Sequence, residues 1–246
     1  MQTLLSERFA PTTSSIGFLR LGLDPAVEAL AGWRRPIVAG KVSAEELEAG
    51  FPDCLRSLEP LTGGARPREL LVEASGGWTA YFDCSLQGTD AVSTISYLAR
   101  AAGCQGLAID VVPYTEGKAG VRPGRYGAVQ FEMFGPLQTE FLNYVRTVSA
   151  AHDGSQWVFV ANGTEQWFEE VEAYRARRVR DRFNSEMLGR YCKALDLDVF
   201  NPAAYGPRAI LVRSEVKVPP DGKVMSLAEV QRWLGIVPGM ADSLPG

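Results

Sequence analysis

The chain has 246 residues, of which 46% are apolar and 22% charged, and it carries a net charge of −4. These figures fit a globular chain with a full hydrophobic core, and they leave no global positive field to gather nucleic acid or an anionic membrane. No apolar run approaches the roughly 20 residues needed to cross a bilayer, and the start, MQTLLSERFAPTTSS, lacks the basic-then-apolar order of a secretory signal.

Four cysteines, Cys54, Cys84, Cys104 and Cys192, never form a Cys-x-x-Cys pair. That spacing argues against zinc and gives no disulfide framework, so a reducing cytoplasm is the expected location. A Ser-His-Asp or Cys-His site would have to use the single histidine, His152. It stands beside Asp153-Gly154, a hairpin-tip dipeptide, where an exposed side chain is expected rather than a catalytic one.

Residues 1–40 are mixed and punctuated by Gly and Pro, with a short helical candidate near Pro25–Leu30. Ser43 and Glu46 have capping-box spacing, which predicts a helix that Pro52 breaks in two. TGGARP is a loop. RELLVEAS and GWTAYFDCS then read as strands joined across Gly76-Gly77. In the second, Trp78, Ala80, Phe82 and Cys84 share one face, and Thr79, Tyr81 and Asp83 the other. Asp90 caps a predicted helix with an Ile95, Leu98, Ala99 and Ala102 stripe, and Gly103 ends it.

GLAIDVVPY is the next strand, followed by a Gly-rich loop that matches neither the Walker nor the Rossmann pattern. Three more strands are predicted in YGAVQFEMF, LNYVRTVSA and SQWVFVA. In the first of these, Val129, Phe131 and Met133 alternate with Gln130 and Glu132, as on a half-buried strand whose polar face meets water.

The last third reads as mainly helical. WFEEVEAYRARRVRDRF has acids early and arginines late, the order that a helix dipole favours. Asn184 caps a helix with Met187, Leu188, Tyr191 and Leu195 on one face. RAILVRSEV is a strand, and Ser226 with Glu229 opens a terminal helix. The expected fold is α+β, a mainly antiparallel sheet with one crossing helix and a helical C-terminal third. Residues 1–64 form an irregular and helical start, 65–163 the sheet core and 164–246 a helical segment packing on it, all in one domain.

Three sets of residues compete as sites. Gln130 and Glu132 have the Gln-x-Glu spacing of ADP-ribosyltransferases that modify arginine, and VSTIS resembles their Ser-Thr-Ser element. Arg68 precedes its strand, however, and Ser93 and Thr94 fall in a helix, so the strand reading is preferred. Asp83, Asp110 and Glu132 would make a carboxylate site for Mg²⁺ or acid–base work if neighbouring strands brought them together; a solvated sheet face is the expectation. Arg175, Arg178 and Arg182 make a stripe at helical spacing, suited to an acidic protein partner more than to nucleic acid.

The segments GWTAYFDCSLQGTD, RYGAVQFEMFGP and ARRVRDRF resemble a group of uncharacterised actinobacterial proteins over residues 70–215. The resemblance implies no activity, catalytic residue or cofactor. The leading expectation is a non-catalytic cytoplasmic protein that binds another protein, in the manner of an immunity protein or antitoxin, with no metal, cofactor or membrane. The alternative is an enzyme with carboxylates around Asp83 and Asp110.

Overall fold

Trp78, Ala80, Phe82 and Cys84 enter one buried cluster, while Tyr81, between them in sequence, enters another. Their strand is therefore covered on both faces, which places it inside a large sheet. The computed structural model describes residues 1–38, 40–139 and 142–243.

In chain order, β1 (Ser15–Leu19), α1 (Leu23–Arg34) and β2 (Val42–Glu46) precede a short β3 (Leu61–Thr62). Then come β4 (Arg68–Ala74), β5 (Trp78–Asp83), α2 (Ala91–Ala102) and β6 (Gly106–Val112). After these come β7 (Ala128–Phe134), β8 (Tyr144–His152), β9 (Trp157–Gly163) and α3 (Ser185–Ala194). The chain continues through β10 (Tyr205–Ser214), β11 (Val224–Met225) and α4 (Leu227–Leu234). Nine strands make one antiparallel sheet in the order β2-β10-β4-β5-β1-β6-β7-β8-β9, and β3 pairs with β11 separately.

One face of the sheet carries α1 and α2 over Leu71, Tyr81, Ala108 and Ile210. The other is covered by α3, by Val230 of α4 and by the segments around Phe9 and Leu55. Asp90 caps α2 by accepting from Ser93 N at 3.3 Å, and Gly103, at φ 66°, ends it. Two glycines let α2 sit close: a Cβ added at Gly17 of β1 or Gly106 of β6 would fall 2.5 Å from Ile95. No helix among the described residues is long and apolar enough to cross a membrane.

The α+β class and the antiparallel pairing agree with expectation, and several finer expectations do not. The sheet core is not confined to 65–163, because β1, β2 and β10 come from outside that range. The single crossing helix is replaced by two helices, α1 and α2, that share one face. The predicted helix at Ser43 is edge strand β2, whose Glu45 and Glu46 pair with Arg213 and Arg208 of β10. After it, Asp53–Leu58 is a short 3₁₀ turn.

Nor is the C-terminal third mainly helical. Between Trp167 and Phe183 the chain makes only two 3₁₀ turns, Val171–Arg175 and Val179–Asp181. The reason lies in where its acids go. Glu169 accepts from Arg146 Nε at 2.8 Å and Nη2 at 2.6 Å, and also from Gln166 N and Tyr174 Oη. Glu170 forks onto Arg190 of α3. The two arginines come from β8 and α3 rather than from the segment itself, so the carboxylates are drawn away from intrahelical pairing.

Candidate functional site

On β7 the predicted alternation is present, with Val129, Phe131 and Met133 all in the main core. Gln130 and Glu132 point to the opposite face, the one that carries α1 and α2. The expectation of a solvated face fails here, since Glu132 is only 7% exposed. Its Oε2 is shut off from solvent and has no hydrogen-bond partner.

The register explains the company Glu132 keeps. It stands opposite Thr147 of β8, and Thr147 opposite Asn162 of β9, so the three cross the sheet in one row. Gln130 and Ser149 form part of the adjacent row. Because α2 packs on β1 and β6 and reaches only the near side of β7, the face of β8 and β9 stays open. A cleft of about 680 Å³ results, lined by Glu132, Tyr144, Thr147, Asn162 and Thr139. One wall is pinned to α2: Asn143 Nδ2 donates to Ser96 O and Gly135 O, and Ser96 Oγ donates to Asn143 Oδ1 at 2.7 Å.

Asp110 joins this site. It pairs with Gln130 in the β6–β7 register, making it a diagonal neighbour of Glu132, at a typical spacing of about 7–8 Å. Burial is the main cause that pushes the Glu132 carboxyl up to about 7; the Asp110 charge adds to it, and a hydrogen bond with Gln130 opposes it. Burial also raises Asp110, against a hydrogen bond with Ser15. Tyr144 is pushed up to about 12, by burial and then by the Glu132 charge, so it stays a neutral phenol.

Asp83 stands apart. β1 lies between β5 and β6, which separates the strands of Asp83 and Asp110 by about 10 Å. Asp83 is fully buried at the start of α2, where it accepts from Ser85 N at 2.9 Å and Asp90 N at 3.0 Å. Arg66 lies 3.6 Å away and also pairs with Asp90. Beside them Arg34 forks onto fully buried Glu69, which also accepts from Tyr81 Oη at 2.7 Å. Burial pushes the Asp83 carboxyl up to about 6 despite these donors. Its oxygens are committed to holding α2 on the sheet. The structure thus brings Asp110 and Glu132 together and leaves Asp83 out. Among the described residues, no group of three or more His, Cys, Asp or Glu is placed to hold a metal ion.

The ADP-ribosyltransferase constellation is not assembled. Ser93 and Thr94 lie in the first turn of α2; Arg68 does not precede its strand but is the first residue of β4, and its guanidinium donates to Leu58 O and Pro60 O. The arginine stripe is not formed either, for want of a helix. Arg175 pairs with Glu172, Arg182 Nε donates to Ala176 O, and Arg178 precedes a 3₁₀ turn. His152 is not a bare hairpin residue: it stacks on Tyr126 at 5.4 Å, with Tyr114 and Trp157 around it.

Sequence reasoning missed Tyr144, Thr147 and Asn162. Thr147 and Ser149 do alternate with Val148 and Ala150, which marks a polar face. The partner that turns that face into a cleft is chosen only by strand pairing. No protein-family model, curated protein or solved structure matches the chain, so the chemistry of the cleft rests on its own residues.

Proposed function

We propose that the protein acts on a small polar molecule in the β7–β9 cleft, with Glu132 exchanging a proton with it. The observation that carries this reading is the Glu132 carboxyl: buried, unpartnered at Oε2, and raised to about 7 on the wall of an open cleft. A carboxyl poised near neutrality both gives and takes a proton at working pH, which is what general acid–base chemistry requires. Asp110 is a positioning residue that keeps the proton on Glu132 by its charge. Thr147, Asn162 and the Tyr144 phenol supply hydrogen bonds to orient a ligand. Glu132 lines the cleft with Asp110 diagonal to it, and the cation of the lining, Arg146, is already paired with Glu169, which favours neutral or cationic ligands over anions.

This is the carboxylate enzyme expected as the alternative, recentred on Glu132 and Asp110 without Asp83. It is preferred to protein binding because the surface named for a partner, a helical stripe of Arg175, Arg178 and Arg182, has no helix to carry it. The free thiols of Cys54, Cys84, Cys104 and Cys192 support work in a reducing cytoplasm.

The test is a carboxyl-carbon NMR titration of the glutamates, with Glu132→Gln to assign the signal. A Glu132 midpoint near 7 is expected, moving down in Asp110→Asn. A midpoint at the ordinary value near 4.5 overturns the proposal. A thermal-shift screen of neutral and cationic polar compounds, with Thr147→Trp to fill the cleft, then finds the ligand class.

A further inference from the structure

On the opposite face of the sheet, a second cavity of about 450 Å³ opens between residues 114–122, β9 and the start of α3. It is separate from the Glu132 cleft and differs from it in chemistry. It has apolar walls from Val129, Trp157 and Phe183, and its charged side chains are two arginines and one glutamate. Arg122 and Arg180 both line it, against one carboxylate, Glu116. Neither guanidinium forms an ion pair among the described residues; Arg122 Nη1 donates only to Met240 Sδ, at 3.3 Å.

Two further features point at a ligand. Thr115 also lines the cavity, is 6% exposed, and its Oγ1 has no hydrogen-bond partner. A buried hydroxyl normally finds a partner in the fold, so an orphan beside a cavity marks where a ligand atom belongs. The ten-residue α3 also begins at this cavity, through Asn184 and Ser185. Asn184 Oδ1 already accepts from Glu186 N and Met187 N, so the helix contributes the positive end of its dipole rather than free amides.

We propose that this cavity binds a small anionic aromatic molecule. Its acid group lies toward Arg122, Arg180 and the Thr115 hydroxyl, and its ring toward Trp157 and Phe183. Guanidinium groups supply the charge-assisted hydrogen bonds that carboxylates and phosphates share, and the aromatic walls reward a flat apolar body.

The experiment is calorimetric titration of the full chain with 1-naphthyl phosphate, with 1-naphthol and inorganic phosphate in parallel. One saturable site is expected, tighter for 1-naphthyl phosphate than for either fragment. Arg122→Gln with Arg180→Gln should weaken it by about tenfold, the scale of a charge-assisted hydrogen bond, and Thr115→Val by about threefold. Arg175→Gln with Arg177→Gln, which removes the same charge from exposed positions outside the cavity, should leave the affinity unchanged. Absence of saturable binding overturns the proposal, as does equal affinity for either fragment or equal loss in the exposed-arginine control. If the double variant loses its near-ultraviolet dichroism, Thr115→Val alone decides, and full affinity there refutes the assignment.

Discussion

Glu132 and Phe131 are neighbours in sequence with opposite fates. Phe131 is fully buried and meets Phe168 and Tyr191 edge-on at 6.0 and 6.1 Å. Phe131→Ala should therefore cost about 3–5 kcal/mol in urea denaturation, through lost contact and the cavity left behind. Glu132 faces the cleft, and its contribution depends on pH. The folded protein holds its proton up to about 7, whereas the unfolded chain releases it near 4.5. The native state thus binds more protons between these values, so stability falls as pH rises from 4.5 to 7 and is level above. The difference amounts to about 3 kcal/mol at pH 8. Glu132→Gln keeps the shape and removes the titration. Its melting temperature should exceed that of the parent clearly at pH 8 and only slightly at pH 4.5; equal gains at both would show that Glu132 is not raised.

At the scale of elements, two short sequence patterns with the same spacing end differently. Ser226 and Glu229 make a true capping box, with both reciprocal bonds, and open α4. Ser43 and Glu46 have the same spacing and lie in a strand. Neighbouring residues make the difference: Leu227, Val230 and Leu234 give α4 an apolar stripe, whereas Glu45 and Glu46 meet arginines of β10. Propensity is a weak prior, and a partner strand outweighs it.

The acid-to-arginine segment repeats the lesson and gives a test. The Glu169 side chain is fully buried and that of Arg146 is 6% exposed, whereas Glu172 and Arg175 are both 80% exposed. Glu169→Ala strands a buried guanidinium and should cost about 3–5 kcal/mol. Arg175→Ala should change stability by less than about 0.5 kcal/mol. Urea denaturation of the two variants side by side checks this, and equal costs would mean that the segment is not anchored through Glu169. The α2 contact gives another test. Gly17→Ala puts a methyl against Ile95 and should destabilise by about 1–3 kcal/mol, and Ile95→Ala in the same chain should cost less than the two changes summed, by denaturant titration.

For the whole molecule, the order of strands decides both protection and the site. β4, β5, β1 and β6 lie inside the sheet with helices on one face and the main core on the other, while β2 and β9 are edges. Hydrogen exchange read by mass spectrometry should find peptides from 70–74, 79–83 and 107–111 slowest among the strands, and 42–46 and 157–163 fastest. Fast exchange at 79–83 would contradict the order.

The sequence by itself determined what depends on near neighbours. The alternation in β5 and β7 set their two faces, Asp90 and Gly103 bounded α2, Asn184 began α3, and composition left no global positive field. It also singled out Asp110 and Glu132 as carboxylates in strands. Only the tertiary structure decided which strands are neighbours. SIGFL is too short and too plain to announce a strand, yet as β1 it separates Asp83 from Asp110, and β10 arrives from more than a hundred residues away to pair with β4 and β2. Such pairings are set by the burial that the assembled sheet offers, which no local window contains. Burial is also what raises the Glu132 carboxyl, so the property on which the proposed chemistry rests exists only after α2 has covered β6 and left β8 open.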